Sequence, residues 1–417
     1  MPQSGKSYGL ELDAMNSLET YQLSINDSSR PLERAQTISA PTSAIIFALA
    51  VFGYPIIANL VDWLGVDSRV LSIPFRLLLG SLSVLVIALS TSIRFDKWYF
   101  LMLLIWFALI LRLGFDTSIT AIENADYALE FFLISCVLPV LAIWALDAYQ
   151  PKNYAIAGFA LATTGSLTAL LANYFGIFGE SNLTEITGRL SSTALNPVTL
   201  GHLALSGFLC GLTLMRSKSF WIRATIMLTM MALIIVVIQT GSKGPVIALA
   251  IVLFIWASQR ALIAPMIGLA VLAAILLLVY ADSPFFQRLI AIDDDPSTTE
   301  RIALIQDSLQ QIAASPWLGS ASVELKSGAY PHNIFLEGAL SFGLPLTAVL
   351  AILLFHVFFK SLKLLKTEDD LVSLLFLQSL VISQISGALF ADSMLWICLV
   401  LILGLEIKNE EKELIQS

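Results

Sequence analysis

Repeated apolar runs constrain the fold of this chain more than any other feature of its sequence. An α-helix of about 20 apolar residues spans the hydrocarbon core of a bilayer. Runs close to that length cover residues 43–62, 73–92, 98–115, 126–148, 153–176, 198–216, 221–240, 244–258, 262–281, 332–358, 370–390 and 392–407. With 57% hydrophobic and only 13% charged residues, the chain has to bury most side chains away from water, and lipid does so here. The sequence therefore predicts an all-α, polytopic membrane protein of about twelve transmembrane helices.

The distribution of basic residues orients these predicted spans. If the N-terminus is cytoplasmic, 15 of the 23 Lys and Arg residues fall in cytoplasmic segments, as the positive-inside rule requires. We therefore expect a polar, disordered cytoplasmic tail over 1–42 and a transmembrane domain over 43–407. Within that domain, 282–331 is expected to form a large extracytoplasmic loop, and 408–417 a cytoplasmic tail. Residues 1–42 lack the short apolar core of a cleavable signal peptide.

Several functional classes are disfavoured by composition. The three cysteines all lie within apolar runs, at spacings that suit neither a disulfide framework nor a metal site. A basic patch with interleaved aromatic residues is absent, which argues against nucleic-acid binding. The acidic run at 293–295 is interpreted as a solvated loop rather than a ligand set. We expect no metal and no cofactor.

The polar segment between the ninth and tenth runs has a recognisable helix pattern. Ser297 and Glu300 form a capping box, and apolar residues then recur at helical spacing, at Ile302, Ile305, Leu309 and Ile312. The pattern predicts an amphipathic helix over 298–314 that lies against the bundle at the membrane surface. Polar residues gathered beside a bilayer are informative about function.

Three cations and one histidine recur at the predicted outer rim. Arg189 lies in GRLSSTALNPVTLGH before the sixth run, Lys243 lies in TGSKGP between two runs, and Arg301 opens the amphipathic helix. His332 precedes the tenth span, which Asn333 is placed to cap. Arginine binds phosphate oxygens in a bidentate manner and lysine adds a compact charge, so three such cations suit a lipid-linked pyrophosphate. Histidine is well tuned to take a proton from an acceptor hydroxyl. A metal-independent mechanism follows.

Each of these residues also has a purely structural interpretation. Arg189 is also placed to anchor the helix to lipid headgroups, and Lys243 to cap the carbonyls at a helix end. Arg301 occupies an exposed first-turn position, and His332 is placed to bond to the backbone.

Other polar residues within the runs carry weaker signals. Glu337 suits either the orientation of a cation or a structural pairing, and Glu130 is a functional candidate by location only. His202 and His356 are interpreted as satisfied packing residues. A face of small residues indicates tight helix packing rather than chemistry; its members are Ser379, Ser383, Ser386 and Gly387.

The motifs over roughly residues 160 to 390 resemble the bacterial O-antigen ligase and O-antigen polymerase family. The resemblance rests on TGSKGPVIALAIVL, ERIALIQDSLQQIAASPWLGSA and PHNIFLEGALSFGLPL, with GRLSSTALNPVTLGH as the preceding arginine loop. It implies a GT-C-class glycosyltransferase that moves a glycan, with inversion, from an undecaprenyl-diphosphate carrier to a sugar acceptor such as lipid A-core. The reaction would take place on the periplasmic side of the bacterial inner membrane.

The resemblance also implies roles for individual residues. Arg189 and Arg301 would bind the diphosphate, and His332 would be the catalytic histidine. Lys243 stands where the family usually has arginine, so the charge is kept but the bidentate fork is lost.

Alternative functions remain open at this stage. A polymerase that joins carrier-linked repeat units needs the same donor site as a ligase, so the motifs do not separate the two, and a protein acceptor is also compatible. A secondary transporter is a more distant alternative. Transporters of this size tend to have two related halves and a midplane site, whereas here the polar residues lie at the rim.

Overall fold

A computed structural model describes residues 39–90, 95–118, 122, 125–176, 189–191, 195–260 and 296–416, with only the backbone described for 296–298 and 407–416. The regular secondary structure in these ranges is helical, and they contain no strand. The helices are α1 (Ser39–Leu64), α2 (Ser68–Leu89), α3 (Lys97–Asp116), α4 (Ala125–Leu146), α5 (Pro151–Tyr174), α6 (Pro197–Leu214), α7 (Phe220–Gln239), α8 (Lys243–Gln259), α9 (Pro296–Ala314), α10 (Ile334–Leu364), α11 (Asp370–Ile382) and α12 (Ser393–Gln416).

Eight of the described helices are long and apolar enough to cross a membrane: α1 to α7 and α10. α8, α11 and the Ser393–Glu406 part of α12 are shorter apolar helices. The predicted run at 262–281 lies outside the described residues. The prediction of an all-α, polytopic membrane protein is therefore confirmed, while the count of about twelve spans stays a prediction.

Helices extend into both predicted tails. α1 begins at Ser39, whereas the sequence predicted a tail up to residue 42. α12 continues to Gln416, through residues predicted to be tail. Most of the predicted N-terminal tail and residues 282–295 of the predicted loop lie outside the described residues.

Helices α5, α6 and α7 form a tightly packed group because small residues let their backbones approach. A Cβ added to Gly165 of α5 would lie 2.9 Å from Leu203 Cδ2 of α6, and one added to Gly211 of α6 would lie 2.7 Å from Met230 Cγ of α7. Close approach at small residues is the usual way in which transmembrane helices associate. Asn196 caps the start of α6, where its side chain accepts a hydrogen bond from Thr199 N–H at 2.8 Å.

Among the described helices, irregular geometry occurs at three places. α1 and α4 contain π-helical segments at Leu49–Gly53 and Phe132–Val137, a geometry that is rare and frequently found at functional sites. α10 breaks at Gly343, whose φ of +82° is not helical. Arg112 of α3 holds this break, since its guanidinium donates to the carbonyl oxygens of Ser341 and Ser320 at 2.7 and 3.0 Å. The chain leading to His332 is thereby attached to α10.

Candidate functional site

Arg189, which precedes α6 in the sequence, packs against the turn that joins α7 to α8. Its Nε donates to the carbonyl oxygen of Thr240 at 3.0 Å, and its Nη2 donates to Ser242 Oγ at 2.7 Å. The neighbouring Leu190 N–H donates to the carbonyl oxygen of Gln239 at 2.8 Å. Arg189 is therefore held next to Lys243, the first residue of α8. The predicted site residues Arg189 and Lys243 therefore lie close together at this turn, although Arg189 is 51 residues away in the sequence from Thr240, to which it bonds.

Arg301 lies on α9 and contacts the segment that connects α11 to α12. Its Nη1 donates to the carbonyl oxygen of Ile385 at 2.9 Å, and its Nη2 lies 3.5 Å from Ser386 Oγ. Ser386 also lies close to the start of α8, because a Cβ added to Gly244 would be 3.8 Å from its Oγ. Ser386 thus lies between Arg301 and the N-terminus of the helix that Lys243 begins.

His332 contacts the same connection from the start of α10. Its φ of +55° is in the left-handed region, which is uncommon for residues other than glycine but enriched for histidine. The flanking backbone is held in place: Ile334 N–H donates to the carbonyl oxygen of Ser383 at 3.0 Å, and Asn333 Nδ2 donates to Gln384 Oε1 at 3.0 Å. Asn333 also caps α10, as predicted, by accepting from Phe335 N–H.

The surroundings of His332 favour the neutral form of its imidazole by lowering its pKa. Burial lowers its pKa below the ordinary value, the nearby charge of Arg301 lowers it further, and the Gly387 backbone offsets part of the shift. Its Nδ1 atom is buried without a hydrogen-bond partner among the described residues. A half-buried, neutral imidazole has the protonation state that a general base requires.

His332 lines a cavity of about 330 Å³. Residues of the π-helical part of α1 form one wall, and the α11–α12 connection, including Ser386 and Gly387, forms another. Of the four predicted site residues, His332 lines the cavity, whereas Arg189, Lys243 and Arg301 are not among its lining residues. Arg189 and Lys243 lie at the α7–α8 turn. Arg301 contacts the α11–α12 connection, part of which lines the cavity.

The α11–α12 connection has a polar role that sequence reasoning missed. The small-residue face was interpreted as packing, but Ser379 Oγ and Ser383 Oγ donate to the two carboxylate oxygens of Asp392 at 2.5 and 2.6 Å. Asp392 itself lines the cavity. The interpretation as packing is therefore incomplete for Ser379 and Ser383, which are buried but also bond to a carboxylate that lines the cavity. Their helical spacing alone does not separate a packing face from a polar one.

His202 also differs from its prediction, whereas His356 does not. Both ring nitrogens of His202 are buried without a partner among the described residues, and its side chain lines the cavity. It is therefore not a satisfied packing residue. His356 is satisfied, since it stacks on Trp98 with ring centroids 3.7 Å apart and its Nε2 lies 3.1 Å from Glu406 Oε2.

Two intramembrane carboxylates have different environments. Glu337 is buried and its Oε2 accepts from Leu389 N–H at 2.6 Å, so it links α10 to the α11–α12 connection instead of orienting a cation. Glu130 lies 4.0 Å from Arg76. The buried Arg76 guanidinium lies 5.2 Å from the centre of the Phe131 ring, which lines the cavity. Arg76 is thus a further cation next to the cavity, and only its position in an apolar run marks it in the sequence.

The predicted amphipathic helix forms over Pro296–Ala314. Of its apolar stripe, Ile312 is buried against α10, while Ile302, Ile305 and Leu309 are exposed among the described residues. Within the same residues there is no group of three His, Cys, Asp or Glu side chains that could hold a metal ion. The acidic run at 293–295 lies outside them.

A family model described as O-antigen ligase matches residues 227–351. This range contains Lys243, Arg301 and His332, whereas Arg189 precedes it. None of the curated proteins matches the chain. The match supports the O-antigen ligase family, and with it a membrane-bound ligase or polymerase of polysaccharide biosynthesis.

Proposed function

We propose that this O-antigen ligase-like chain transfers a glycan from an undecaprenyl-diphosphate carrier to a sugar acceptor, with lipid A-core as the expected acceptor class. The observation that carries the proposal is that Arg301 and His332 both contact one short connection, Ile385–Gly387, beside a cavity that His332 lines. The matching family model covers Arg301 and His332, although it ends before that connection, and it supports the same type of chemistry.

The proposed reaction needs one base and a set of cations. The oxygen of an acceptor hydroxyl attacks the anomeric carbon of the donor glycan, and the bond from that carbon to the diphosphate oxygen breaks. His332 takes the hydroxyl proton, and the carrier diphosphate leaves with the bonding electrons. Arg189, Lys243 and Arg301 bind the diphosphate and offset its developing charge. Attack from the face opposite the leaving group gives inversion.

Substitution of His332 by glutamine tests the catalytic assignment. We expect transfer to fall by about 100-fold or more, because glutamine keeps polarity and approximate size but takes no proton at neutral pH. His356→Gln is the matched control, since that histidine pairs with Glu406 towards the other end of α10. Transfer should be measured with purified protein and a lipid-linked donor, at equal amounts of folded protein. Wild-type transfer by His332→Gln would exclude the imidazole as the base.

The glycan made by a deletion strain separates ligase from polymerase. A strain without the ligase makes polymer that stays on its carrier, whereas a strain without the polymerase transfers single repeat units. We expect the first pattern, because the matching family model is described as O-antigen ligase. Single transferred units would instead assign the chain as a polymerase with the same donor site.

We also propose that both termini are cytoplasmic and that His332 faces the periplasm of the inner membrane. The three cysteines of the chain are buried, so Ser327→Cys and Ser219→Cys would provide isolated exposed thiols on loops expected at opposite faces. A membrane-impermeant maleimide added to cells with a permeabilised outer membrane should label position 327 and not position 219. The reverse pattern would invert the orientation.

A further inference from the structure

We propose that a second cavity, at the opposite end of the bundle, binds an anionic phospholipid of the bilayer. The cavity has a volume of about 540 Å³ and lies between the start of α5, the end of α6 and the start of α7. Thr199 near the start of α6 lines the His332 cavity, while Leu214 at its end lines this one. At 1.5 Å per residue, the 15-residue step from Thr199 to Leu214 separates the two by about 22 Å along α6.

The polar rim of the cavity carries charge suited to an anion. Lys152 and Lys218 line it, and neither side chain has a hydrogen bond or an ion pair within the described part of the chain. Arg216 also lines it, but its guanidinium already donates to the carbonyl oxygen of Glu368 at 2.8 Å and to Asp370 Oδ2 at 2.7 Å. The Glu368 carboxylate lies at the rim as well. Two uncommitted lysines against one carboxylate leave one positive charge in excess.

The apolar wall of the cavity favours a lipid over a soluble anion. Ile156 and Ile222 line it and are about half exposed, at 48% and 51%. Acyl chains would cover this surface, whereas a water-soluble phosphate would leave it uncovered. Phe220 and Trp221, at the start of α7, are 65% and 78% exposed, and exposed aromatic residues of this kind mark the headgroup level of a membrane.

A basic pocket between helix ends at the headgroup level is typical of sites for anionic lipid headgroups. The lysines would hold the headgroup phosphate while the chains lie along α5 and α7. A zwitterionic lipid gains less electrostatic attraction, because its own positively charged amine is repelled by the lysines. The occupant is therefore a phospholipid with a net negative charge.

Native mass spectrometry of the purified full-length protein tests this proposal. Phosphatidylglycerol and phosphatidylethanolamine with the same acyl chains should be titrated separately, and we expect tighter binding of phosphatidylglycerol. In the double variant Lys152→Gln/Lys218→Gln, phosphatidylglycerol binding should fall by about 30-fold, given the usual contribution of each of two lysines near an anionic lipid, while phosphatidylethanolamine binding stays unchanged. Lys363→Gln/Lys366→Gln is the control, because neither of its lysines lines the cavity.

Three results would overturn the proposal. The first is equal binding of the two lipids to the unmodified protein, which needs no variant and so does not depend on variant folding. The second is an equal loss of phosphatidylglycerol binding in the two double variants. The third is displacement of the bound lipid by millimolar glycerol 3-phosphate, which would assign the cavity to a soluble anion. Glycan transfer is not part of the readout, so the outcome is independent of the proposed function.

Discussion

At the scale of single residues, the backbone of His332 is the most unusual feature of the site. A histidine in the left-handed region costs of order 1 kcal/mol and persists only where its surroundings impose it. Here the adjoining Asn333 and Ile334 are bonded to Gln384 and Ser383. The imidazole is thus held against the α11–α12 connection before any substrate binds, which limits the reorganisation needed for proton transfer.

The lowered pKa of His332 predicts how transfer depends on pH. The base form is neutral, so kcat/KM should be constant above the pKa and fall as the pH drops through it. Because burial and Arg301 lower that pKa, the midpoint should lie below the ordinary histidine value of about 6.5. In Arg301→Gln the residual activity should show a midpoint at higher pH, since a positive neighbour is lost. An unchanged midpoint in this variant would show that the charge of Arg301 does not influence the titrating group.

The basic residues of the site illustrate what residue type alone can indicate. Arg189, Lys243 and Arg301 stand out because cations beside apolar runs are unusual, and this signal is local in sequence. Their partners are not local: Arg301 bonds to Ile385, 84 residues away. The importance of Ser386, Asp392 and Arg76 was missed for this reason, since serine spacing and a lone charge do not reveal which element packs against them.

At the scale of elements, α9 was predicted over 298–314 and is observed over Pro296–Ala314, so Ser297 lies within the helix and not at the capping position before it. The break in α10 was not predicted. It arises because the backbone at Trp317–Gly319 packs directly on the backbone at Leu340–Gly343. This close approach leaves no room for a Cβ on either glycine, and the segment leading to His332 depends on it.

Gly343→Ala should therefore destabilise the protein by about 3 kcal/mol, through strain at positive φ and overlap with the Trp317 carbonyl. Thermal unfolding in detergent measures this effect. Gly114→Ala in α3 is the matched control, because a Cβ there meets no atom within 4 Å. Its effect should be neutral or slightly stabilising, as for alanine in other helices. Equal unfolding temperatures for both variants would exclude the close approach as a determinant of stability.

At the scale of the whole molecule, the end opposite to His332 is held together by one buried carboxylate. Asp370 Oδ2 accepts from Arg216 Nη2 and from Arg260 Nη2, both at 2.7 Å, and from Trp256 Nε1 at 3.1 Å. These partners come from the α6–α7 turn, the end of α8 and the residue that follows it. Asp370 therefore connects three parts of the bundle that are distant in sequence.

Asp370→Asn should cost about 2 kcal/mol, because two arginines lose their counter-charge at a carboxylate that is 1% exposed. The two arginine side chains remain 37% and 28% exposed, which keeps the loss below that of a fully buried pair. Asp307→Asn is the control, since its partner Lys326 is 77% exposed and such pairs contribute little. Thermal unfolding of both variants in detergent measures the two effects. An equally small loss of stability in each would contradict the stabilising role of Asp370.

The sequence by itself determined the class of the molecule and the chemistry that its rim can carry. Apolar runs of membrane-spanning length require helices in lipid, because a backbone in hydrocarbon has to satisfy its own hydrogen bonds. Cations and a histidine at the ends of those runs indicate a charged substrate. Only the tertiary structure decided which of them meet, since Arg301 and His332 converge on Ile385–Gly387 through contacts between distant segments. Such contacts depend on helix packing across the bundle, and neither periodicity nor spacing along the chain encodes them.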